Sequence, residues 1–244
     1  MSYLQFDPHP ALADFIDAYW TVTGNPNGIQ SQKILPDGCV DIILNAGEDL
    51  PGDEEAISLL HSKSYLVGTM TSFQYSTILP GTRLYGIRFK PAGFAAFYQF
   101  SSLHQVTDRC IEFDRQLSPT LPGNGELTLN YLNRFFLERL SDPQHHLLHI
   151  VTDIKLHRGN LTVSRLAERN FTTVRQLQRK FLQHIGVTPK EFINIVRYQY
   201  TFPQIKNNPS RKSLDEIALE SGYYDHAHLS NEFKRYTGVT PSQL

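Results

Sequence analysis

The sequence predicts an α+β N-terminal domain, a small β-barrel or sandwich with helices, followed by an all-α domain of two helix-turn-helix units joined by a long helix. Three observations support this fold class. Short strand-like segments fill the first part of the chain, a motif is repeated in the last third, and the charge reverses between the two. With 244 residues, the chain is long enough for two such domains.

Short β-branched segments between turn residues characterise the N-terminal domain, which we place at residues 1–118. The turn Pro36-Asp37-Gly38 is followed by a run at residues 40–44 that is typical of a strand. Further strands are expected at residues 65–67, 74–79 and 83–90. Helices are expected at residues 11–20, where apolar side chains recur at helical spacing, and at the aromatic-rich residues 94–100.

A barrel of short strands often encloses a ligand, so this domain is a candidate sensor of a small-molecule effector. Its aromatic residues could line a pocket or could be ordinary core: Tyr65, Phe73, Tyr75, Tyr85, Phe89, Phe94, Phe97 and Tyr98. Arg88, a charged residue within a strand, is the candidate to meet an anionic ligand. Cofactor-binding residues are otherwise unknown, and no cofactor is expected.

Residues 119–154 are predicted to hold a linker and a helix. The linker is the Pro- and Gly-rich segment 119–125. Beyond it, apolar side chains recur at helical spacing: Leu127, Leu129, Leu132, Phe135, Phe136 and Leu140. Two interpretations stay open, because this helix could pack on its own domain or could pair two protomers in a homodimer.

The last third of the chain repeats itself. Phe181 and the tetrapeptide Gly-Val-Thr-Pro at residues 186–189 recur, at the same spacing, as Phe233 and Gly-Val-Thr-Pro at residues 238–241. Such self-similarity indicates a supersecondary unit that has been used twice.

The formal net charge of −1 hides two oppositely charged parts. Residues 1–154 carry 9 Lys and Arg against 17 Asp and Glu, whereas residues 155–244 carry 14 against 7. A basic domain joined to an acidic one points to a polyanionic partner for the basic part.

The second copy of the repeat predicts a short helix, a turn and a second helix. Ser213 precedes an acidic first turn and is the expected N-cap of the first helix. Gly222 lies where that helix can end and the chain can reverse through positive φ. Asp225 is the expected cap of the next helix, whose Leu229 and Phe233 face the core. This layout is a helix-turn-helix, whose second helix lies in the major groove of DNA.

The first copy has the same layout without a glycine in its turn. Thr162 is expected to cap its first helix, and Thr172 or Thr173 its second. Asn170 is expected to adopt the left-handed conformation, since Asn tolerates it better than most residues.

Between the copies, residues 191–205 predict one long helix, in which Pro203 should cause a kink or form an end. A rigid connector fixes the separation of two reading helices, so both can enter successive major grooves about 34 Å apart. The C-terminal domain is therefore predicted at residues 155–244.

These residues resemble the AraC-type transcriptional regulators over roughly residues 156–244. The resemblance rests on Leu166-Ala167, Arg175-x-Leu177-x-Arg179-x-Phe181, Gly186-Val187-Thr188-Pro189, Arg197, Ile217-Ala218, Gly222-Tyr223, Phe233-Lys234 and Gly238-x-Thr240-Pro241. Phe171 stands where this family usually has a glycine, and Pro203 is unusual in the connecting helix. Residues 35–43 and 86–91 look like the N-terminal domain of a subset of these regulators.

Side chains on the two recognition helices are the candidates for DNA contact: Thr173, Arg175, Gln176, Gln178, Arg179, His226, Ala227, His228, Ser230, Asn231 and Lys234. Val174, Leu177 and Phe181 are expected to face the core. Arg can fork onto guanine, and Gln or Asn onto adenine. The resemblance implies base-reading positions at Arg175, Gln178, Arg179, His226, Ala227 and Asn231. Lys234 and Arg235 are better suited to phosphates, and Arg197 is assigned to structural pairing.

An enzymatic N-terminal domain is the alternative function. Its acids and histidines show no ligand spacing, and neither a Gly-x-Ser-x-Gly motif nor a P-loop occurs: Asp37, Asp41, Asp108, Glu112, His9, His61 and His104. Asp37 and Asp41 are expected in turn and surface roles. Alkyl transfer would need a reactive cysteine, and neither Cys39 nor Cys110 lies in a Pro-Cys-His context. We predict no enzyme and no metal, neither at His145, His146 and His149 nor at His226 and His228.

The expected partners are double-stranded DNA, a small-molecule effector, a second protomer and, for an activator, RNA polymerase. Two cysteines cannot form a disulfide framework, which favours a reducing compartment. Neither a signal peptide nor a membrane span is visible. We expect a soluble cytoplasmic protein of the nucleoid that makes no membrane contact.

Overall fold

A computed structural model describes residues 1–52, 57–120, 128–141, 147–208 and 212–244. Its N-terminal part is β-rich and its C-terminal part is helical, as the sequence predicts. Within these ranges, no helix is both long and apolar enough to cross a membrane.

The strands of the N-terminal part form one large sheet and one small ribbon. In chain order they are β1 (Ser2–Phe6), β2 (Ile16–Thr23), β3 (Gln30–Ile34), β4 (Val40–Asn45), β5 (Ser64–Val67), β6 (Gln74–Ile78), β7 (Arg83–Phe89) and β8 (Cys110–Phe113). Six of them build an antiparallel sheet in the order β1-β2-β7-β4-β5-β8, and β3 pairs with β6. The predicted strands correspond to β4, β5, β6 and β7, whereas β1, β3 and β8 were not predicted.

Successive residues of a strand point to opposite faces of the sheet. Both faces of the large sheet are covered by other parts of the protein. On one face, Tyr19 and Phe89 join a large aromatic core. On the other, Trp20 packs with Ile78 of the ribbon. Gly86 lies beneath the indole of Trp20, where a Cβ atom would come within 1.9 Å of the ring. Only glycine therefore allows β7 to pair with β2 at this point.

The helix expected at residues 11–20 is wrong. A short 3-10 helix at Pro10–Leu12 is followed by β2, which pairs with β1 and β7 on its two sides. Apolar residues occur on both faces of β2 because both faces are buried, and that pattern imitates helical spacing. The helix expected at residues 94–100 is likewise only a 3-10 turn at Gly93–Ala96.

After the linker, α1 (Leu129–Leu137) packs on its own domain. Leu132, Phe135 and Phe136 enter the aromatic core, where the rings of Phe136 and Tyr19 stack with centroids 6.3 Å apart. The apolar face that could have paired two protomers is therefore covered by the helix's own domain. Most of the predicted linker, together with Leu127, His145 and His146, lies outside the described residues.

The remaining helices form the C-terminal part. They are α2 (Leu147–Leu156), α3 (Val163–Arg169), α4 (Val174–His184), α5 (Pro189–Asn207), α6 (Leu214–Glu220) and α7 (His226–Thr237). We call α3, α4 and their turn unit 1, and α6, α7 and their turn unit 2.

The connecting helix α5 is packed against both units. Phe192 and Val196 lie in the core of unit 1, and Ile195 and Tyr198 in that of unit 2. The helix continues through Pro203 rather than ending there. Proline costs the helix one backbone hydrogen bond, and packing on unit 2 holds this turn in place.

Candidate nucleic-acid interface

The recognition helix of unit 1, α4, begins at a capping box. The hydroxyl of Thr173 accepts a hydrogen bond from the backbone amide of Gln176, and the side-chain oxygen of Gln176 accepts one from the backbone amide of Thr173. Two backbone donors of the first turn are thereby satisfied. The predicted caps at Thr162 and Thr173 are confirmed. Thr173 and Gln176 were also predicted to contact DNA. The side-chain oxygen of Gln176 is already engaged in the cap.

The turn of unit 1 uses Phe171, not the expected Asn170, as its left-handed residue. Phe171 has φ of +50°, whereas Asn170 has φ of −106° and donates its side-chain amide to the Leu166 carbonyl. The amide of Thr172 donates to the carbonyl of Ala167 at 3.0 Å. This bond requires the residue just before Thr172 to be left-handed. Position relative to the helix end thus overrides the side-chain preference of Asn.

Unit 2 forms the same turn with the residue best suited to it. Gly222 has φ of +79°. The amide of Tyr223 donates to the carbonyl of Ala218 at 2.9 Å, which matches the bond in unit 1. Ser213 caps α6 in a capping box and Asp225 caps α7. The sequence predicted Gly222 and both caps correctly.

Helix α4 exposes a basic face. Arg175, Gln178 and Arg179 are all exposed, and neither arginine forms an ion pair with another described residue. Leu177 is buried, as predicted, but Val174 is 37% exposed and does not belong to the core. Two free guanidinium groups beside a glutamine give a surface that can distinguish bases in a major groove.

Helix α7 exposes a less charged face. Its exposed candidates are His226, Ala227, His228, Asn231 and Lys234, with Ser230 half-buried. Nδ1 of His226 lies 2.7 Å from Oδ1 of Asp215 on the preceding helix. Within the described ranges, no three side chains converge as metal ligands. Asn231 can read adenine and Lys234 can contact phosphate.

The inner side of α7 carries charged groups that are engaged within the domain. Arg235 forms an ion pair with Glu191 of α5, and the Tyr236 hydroxyl donates to the same carboxylate at 2.9 Å. Arg235 is therefore less free for phosphate than the sequence suggested. Glu232 is buried, and this burial raises the pKa of its carboxyl against the attraction of Arg197 and His228. The burial of Glu232 was not predicted from the sequence.

Arg197 has the structural role that the sequence predicted. Its Nε donates to the Gly159 carbonyl at 3.2 Å, and its guanidinium lies 5.2 Å from the ring centre of Tyr223. Gly159 precedes unit 1 and Tyr223 lies in the turn of unit 2. Arg197 therefore ties the two units together across α5.

The N-terminal candidate Arg88 is neutralised within its own domain. Its Nε lies 3.2 Å from Asp41, and its Nη1 3.6 Å from Asp37. Asp41 also accepts a hydrogen bond from the Trp20 indole at 2.7 Å, so it is not the surface residue that was expected. Burial raises the pKa of Asp41 to about 6, although Arg88 opposes this shift. Burial also raises the pKa of the Cys39 thiol, which disfavours a thiolate there.

Most aromatic candidates for a ligand pocket belong to the core. Phe89, Phe94, Phe97 and Tyr98 are buried together, and Tyr85 packs against them. Tyr65 is buried in β5, and its hydroxyl accepts a hydrogen bond from the Leu60 backbone amide at 2.7 Å. Phe73 and Tyr75 instead lie beside Lys33.

Two family models match separate parts of the chain. A family model described as a helix-turn-helix domain matches residues 166–244. A model described as a domain of unknown function, DUF6597, matches residues 4–112. The geometry and the first match define the C-terminal part as a domain with two helix-turn-helix units. The motifs of this part resemble those of AraC-type regulators.

Two curated relatives each match about a third of this chain or less. An uncharacterized HTH-type transcriptional regulator of Haemophilus influenzae is 38% identical over 81 residues, which are 33% of this chain and 26% of that protein. The HTH-type transcriptional regulator MtrA of Neisseria gonorrhoeae is 35% identical over 68 residues, 28% of this chain and 22% of that protein. This chain thus matches roughly a quarter of each relative's length. A solved structure of ToxT from Vibrio cholerae aligns over 100% of this chain and 97% of its own, with 14% identity and a TM-score of 0.46.

Proposed function

We propose that this protein is a sequence-specific DNA-binding transcriptional regulator that reads two adjacent major grooves with α4 and α7. The observation that supports this most is the pair of recognition helices on one connecting helix, each with an exposed polar face. The cytoplasmic nucleoid is the matching location, and RNA polymerase is a further partner if the protein activates transcription.

The proposed contacts divide between reading and anchoring. Arg175, Gln178 and Arg179 read bases from unit 1, and Asn231 reads from unit 2 with His226, Ala227, His228 and Ser230 around it. Lys234 neutralises a phosphate. Thr173 and Gln176 lie at the start of α4, which enters the groove first in a helix-turn-helix.

The N-terminal domain is proposed to control this activity through an effector or through dimerisation. We retain residues 1–118 as that domain, residues 119–154 as linker and helix, and residues 155–244 as the DNA-binding domain. The enzymatic alternative gains no support from Cys39, because its burial disfavours the thiolate that alkyl transfer needs.

Selection of bound duplexes from random DNA with the full chain tests the proposal. We expect one enriched site with two subsites about 10 base pairs apart, the distance between successive major grooves on one face. The variant Arg175→Ala/Arg179→Ala is the control and should lose the unit 1 subsite first. If no sequence is enriched even at low salt, the protein is not a sequence-specific regulator.

A further inference from the structure

The N-terminal domain contacts both helix-turn-helix units at the same position of the repeat. The hydroxyl of Thr69 donates to the carbonyl of Ile185 at 2.5 Å. The ammonium of Lys33 donates to the carbonyl of Thr237 at 2.8 Å. Ile185 and Thr237 each directly precede the repeated glycine, so these two carbonyls are equivalent groups at the ends of α4 and α7.

Neighbouring contacts strengthen the attachment to unit 1. The carbonyl of Gly186 accepts a hydrogen bond from the Thr107 hydroxyl at 2.7 Å and lies 2.9 Å from Nδ1 of His104. The hydroxyl of Ser102 donates to the Leu182 carbonyl at 3.1 Å. The last turn of α4 is therefore held by several side chains that come from between β5 and β8.

At unit 2 the contact is made by the ribbon of β3 and β6 and the residues that flank it. The ring of Phe73 lies so close to Gly238 that a Cβ atom there would come within 2.7 Å of it. The ammonium of Lys33 lies 5.1 Å from the centre of the same ring. The aromatic ring and the helix end thus fix the lysine from two sides.

The chemistry of these contacts suits a helix C-terminus. The last carbonyls of a helix have no partner within it and carry the negative end of its dipole. Hydroxyl donors from the N-terminal domain bond such carbonyls in unit 1, and the Lys33 ammonium bonds the Thr237 carbonyl in unit 2. Thr69 is fully buried, so water cannot replace it. The candidate reading side chains lie in the first half of each helix, away from these C-terminal ends.

We infer that Thr69, Thr107 and Lys33 are positioning residues that fix the separation and rotation of the two recognition helices, and so set the spacing of the DNA site. This inference rests on the proposed function. Helix α5 joins the units through apolar packing and through the contacts of Arg197 and Glu191. The N-terminal domain adds a second connection that bridges their far ends. A change within the N-terminal domain reaches both reading helices through these contacts.

The consequence for DNA follows from groove geometry. One added base pair moves the second subsite by about 3.4 Å and rotates it by about 35° around the duplex. Helices α4 and α7 cannot follow this movement while α5 holds their packed sides and the N-terminal domain holds their C-terminal ends. Helices released from the N-terminal domain can follow part of it, at the cost of a less defined optimum.

The test measures how binding depends on spacing, with the full chain throughout. Once selection has given the site, affinities are measured for duplexes with the natural spacing and with one base pair more or fewer. The variants are Lys33→Met and Thr69→Val/Thr107→Val. Lys63→Met is the matched control, because Lys63 pairs with Glu112 within the N-terminal domain.

We expect the unchanged protein and Lys63→Met to bind the shifted duplexes at least about tenfold more weakly than the natural one. In Lys33→Met and the double threonine variant this penalty should shrink to less than about threefold. A thermal unfolding scan of each variant shows whether it is folded. Lys33 is only half-buried, so Lys33→Met is the variant expected to fold in any case.

Three results would overturn the inference. A spacing profile that is unchanged in both variants removes the positioning role and leaves the proposed function intact. An equal loss at every spacing indicates general destabilisation instead of positioning. If the unchanged protein enriches no duplex at all, the proposed function itself fails and the inference fails with it.

Discussion

The two helix-turn-helix units share a backbone but expose different chemistry. In unit 1, Arg175 and Arg179 are exposed without a carboxylate partner among the described residues. In unit 2, His226 lies beside Asp215 and Arg235 pairs with Glu191. A duplicated motif thus keeps its caps and core while its free charge is concentrated in one copy. We expect unit 1 to supply more of the binding free energy.

The same contrast extends to the inner side of the recognition helices. Lys180 and Glu232 occupy equivalent positions, each directly before the repeated phenylalanine. Lys180 is half-buried, whereas Glu232 is buried against α5 and the turn of unit 2. At this position unit 2 therefore buries a charged side chain, whereas unit 1 keeps its charged side chain partly exposed.

The largest expected effect tests whether the two cores are equivalent. Phe181 and Phe233 are 0% and 1% exposed, so Phe181→Ala and Phe233→Ala should each lower the free energy of unfolding by about 3–5 kcal/mol. Urea titration of each variant measures this. A large loss for one and none for the other would show that the units are not equally integrated in the folded domain.

The next effect compares the reading side chains. Arg179→Ala should cost about 1–3 kcal/mol on the selected site and relax its sequence preference, and Asn231→Ala should cost less because it removes no charge. Binding is measured on selected and on random duplexes. Lys234→Ala is the control, since a phosphate contact weakens all sequences alike. Equal losses on both kinds of duplex for Arg179→Ala would reject its role as a reader.

A smaller effect compares the two turns. Phe171 is 98% exposed and left-handed, so Phe171→Gly relieves backbone strain and loses no packing. We expect it to raise the free energy of unfolding by up to about 1 kcal/mol. Gly222→Ala should lower it, because its Cβ would meet the Asn160 side chain at 2.6 Å at a left-handed φ. Chemical denaturation distinguishes the two, and a destabilised Phe171→Gly would mean that the aromatic ring stabilises the fold.

The smallest effect concerns pH. The folded-state pKa of Glu232 is raised, so its protonated form favours folding, and that contribution is lost as the pH rises through this pKa. Stability should therefore fall with rising pH in the acidic range more in the unchanged protein than in Glu232→Gln. Unfolding midpoints from about pH 4 to about pH 7 measure the difference. Identical profiles would show that Glu232 titrates like an exposed carboxyl.

Features that depend on a few neighbouring residues were predictable. The caps Thr162, Thr173, Ser213 and Asp225 and the turn at Gly222 follow from hydrogen bonds within one helix turn. Strand β2 was not predictable in the same way, because its partner β7 is far away in the sequence. Its apolar residues on both faces are explained only by the two layers that cover them.

The residues of the candidate site likewise include some whose environment was predictable from the sequence and some whose environment was not. That Leu177 and Phe233 are buried and that Arg179 and Asn231 are exposed could be predicted from helical spacing. That Arg235 and His226 meet carboxylates, and that Glu232 is buried, could not. These partners come from α5 and α6, and their positions are set by packing.

The residue order alone determined two helix-turn-helix units in a basic segment behind an acidic β-rich one, because turn, cap and charge signals are short-ranged. Tertiary structure decided which cations of the two units meet a carboxylate and how the N-terminal domain attaches to both units. Those outcomes depend on side chains such as Lys33 and Thr69, whose acceptors lie in the other domain, and a contact over such a distance leaves no local pattern in the sequence.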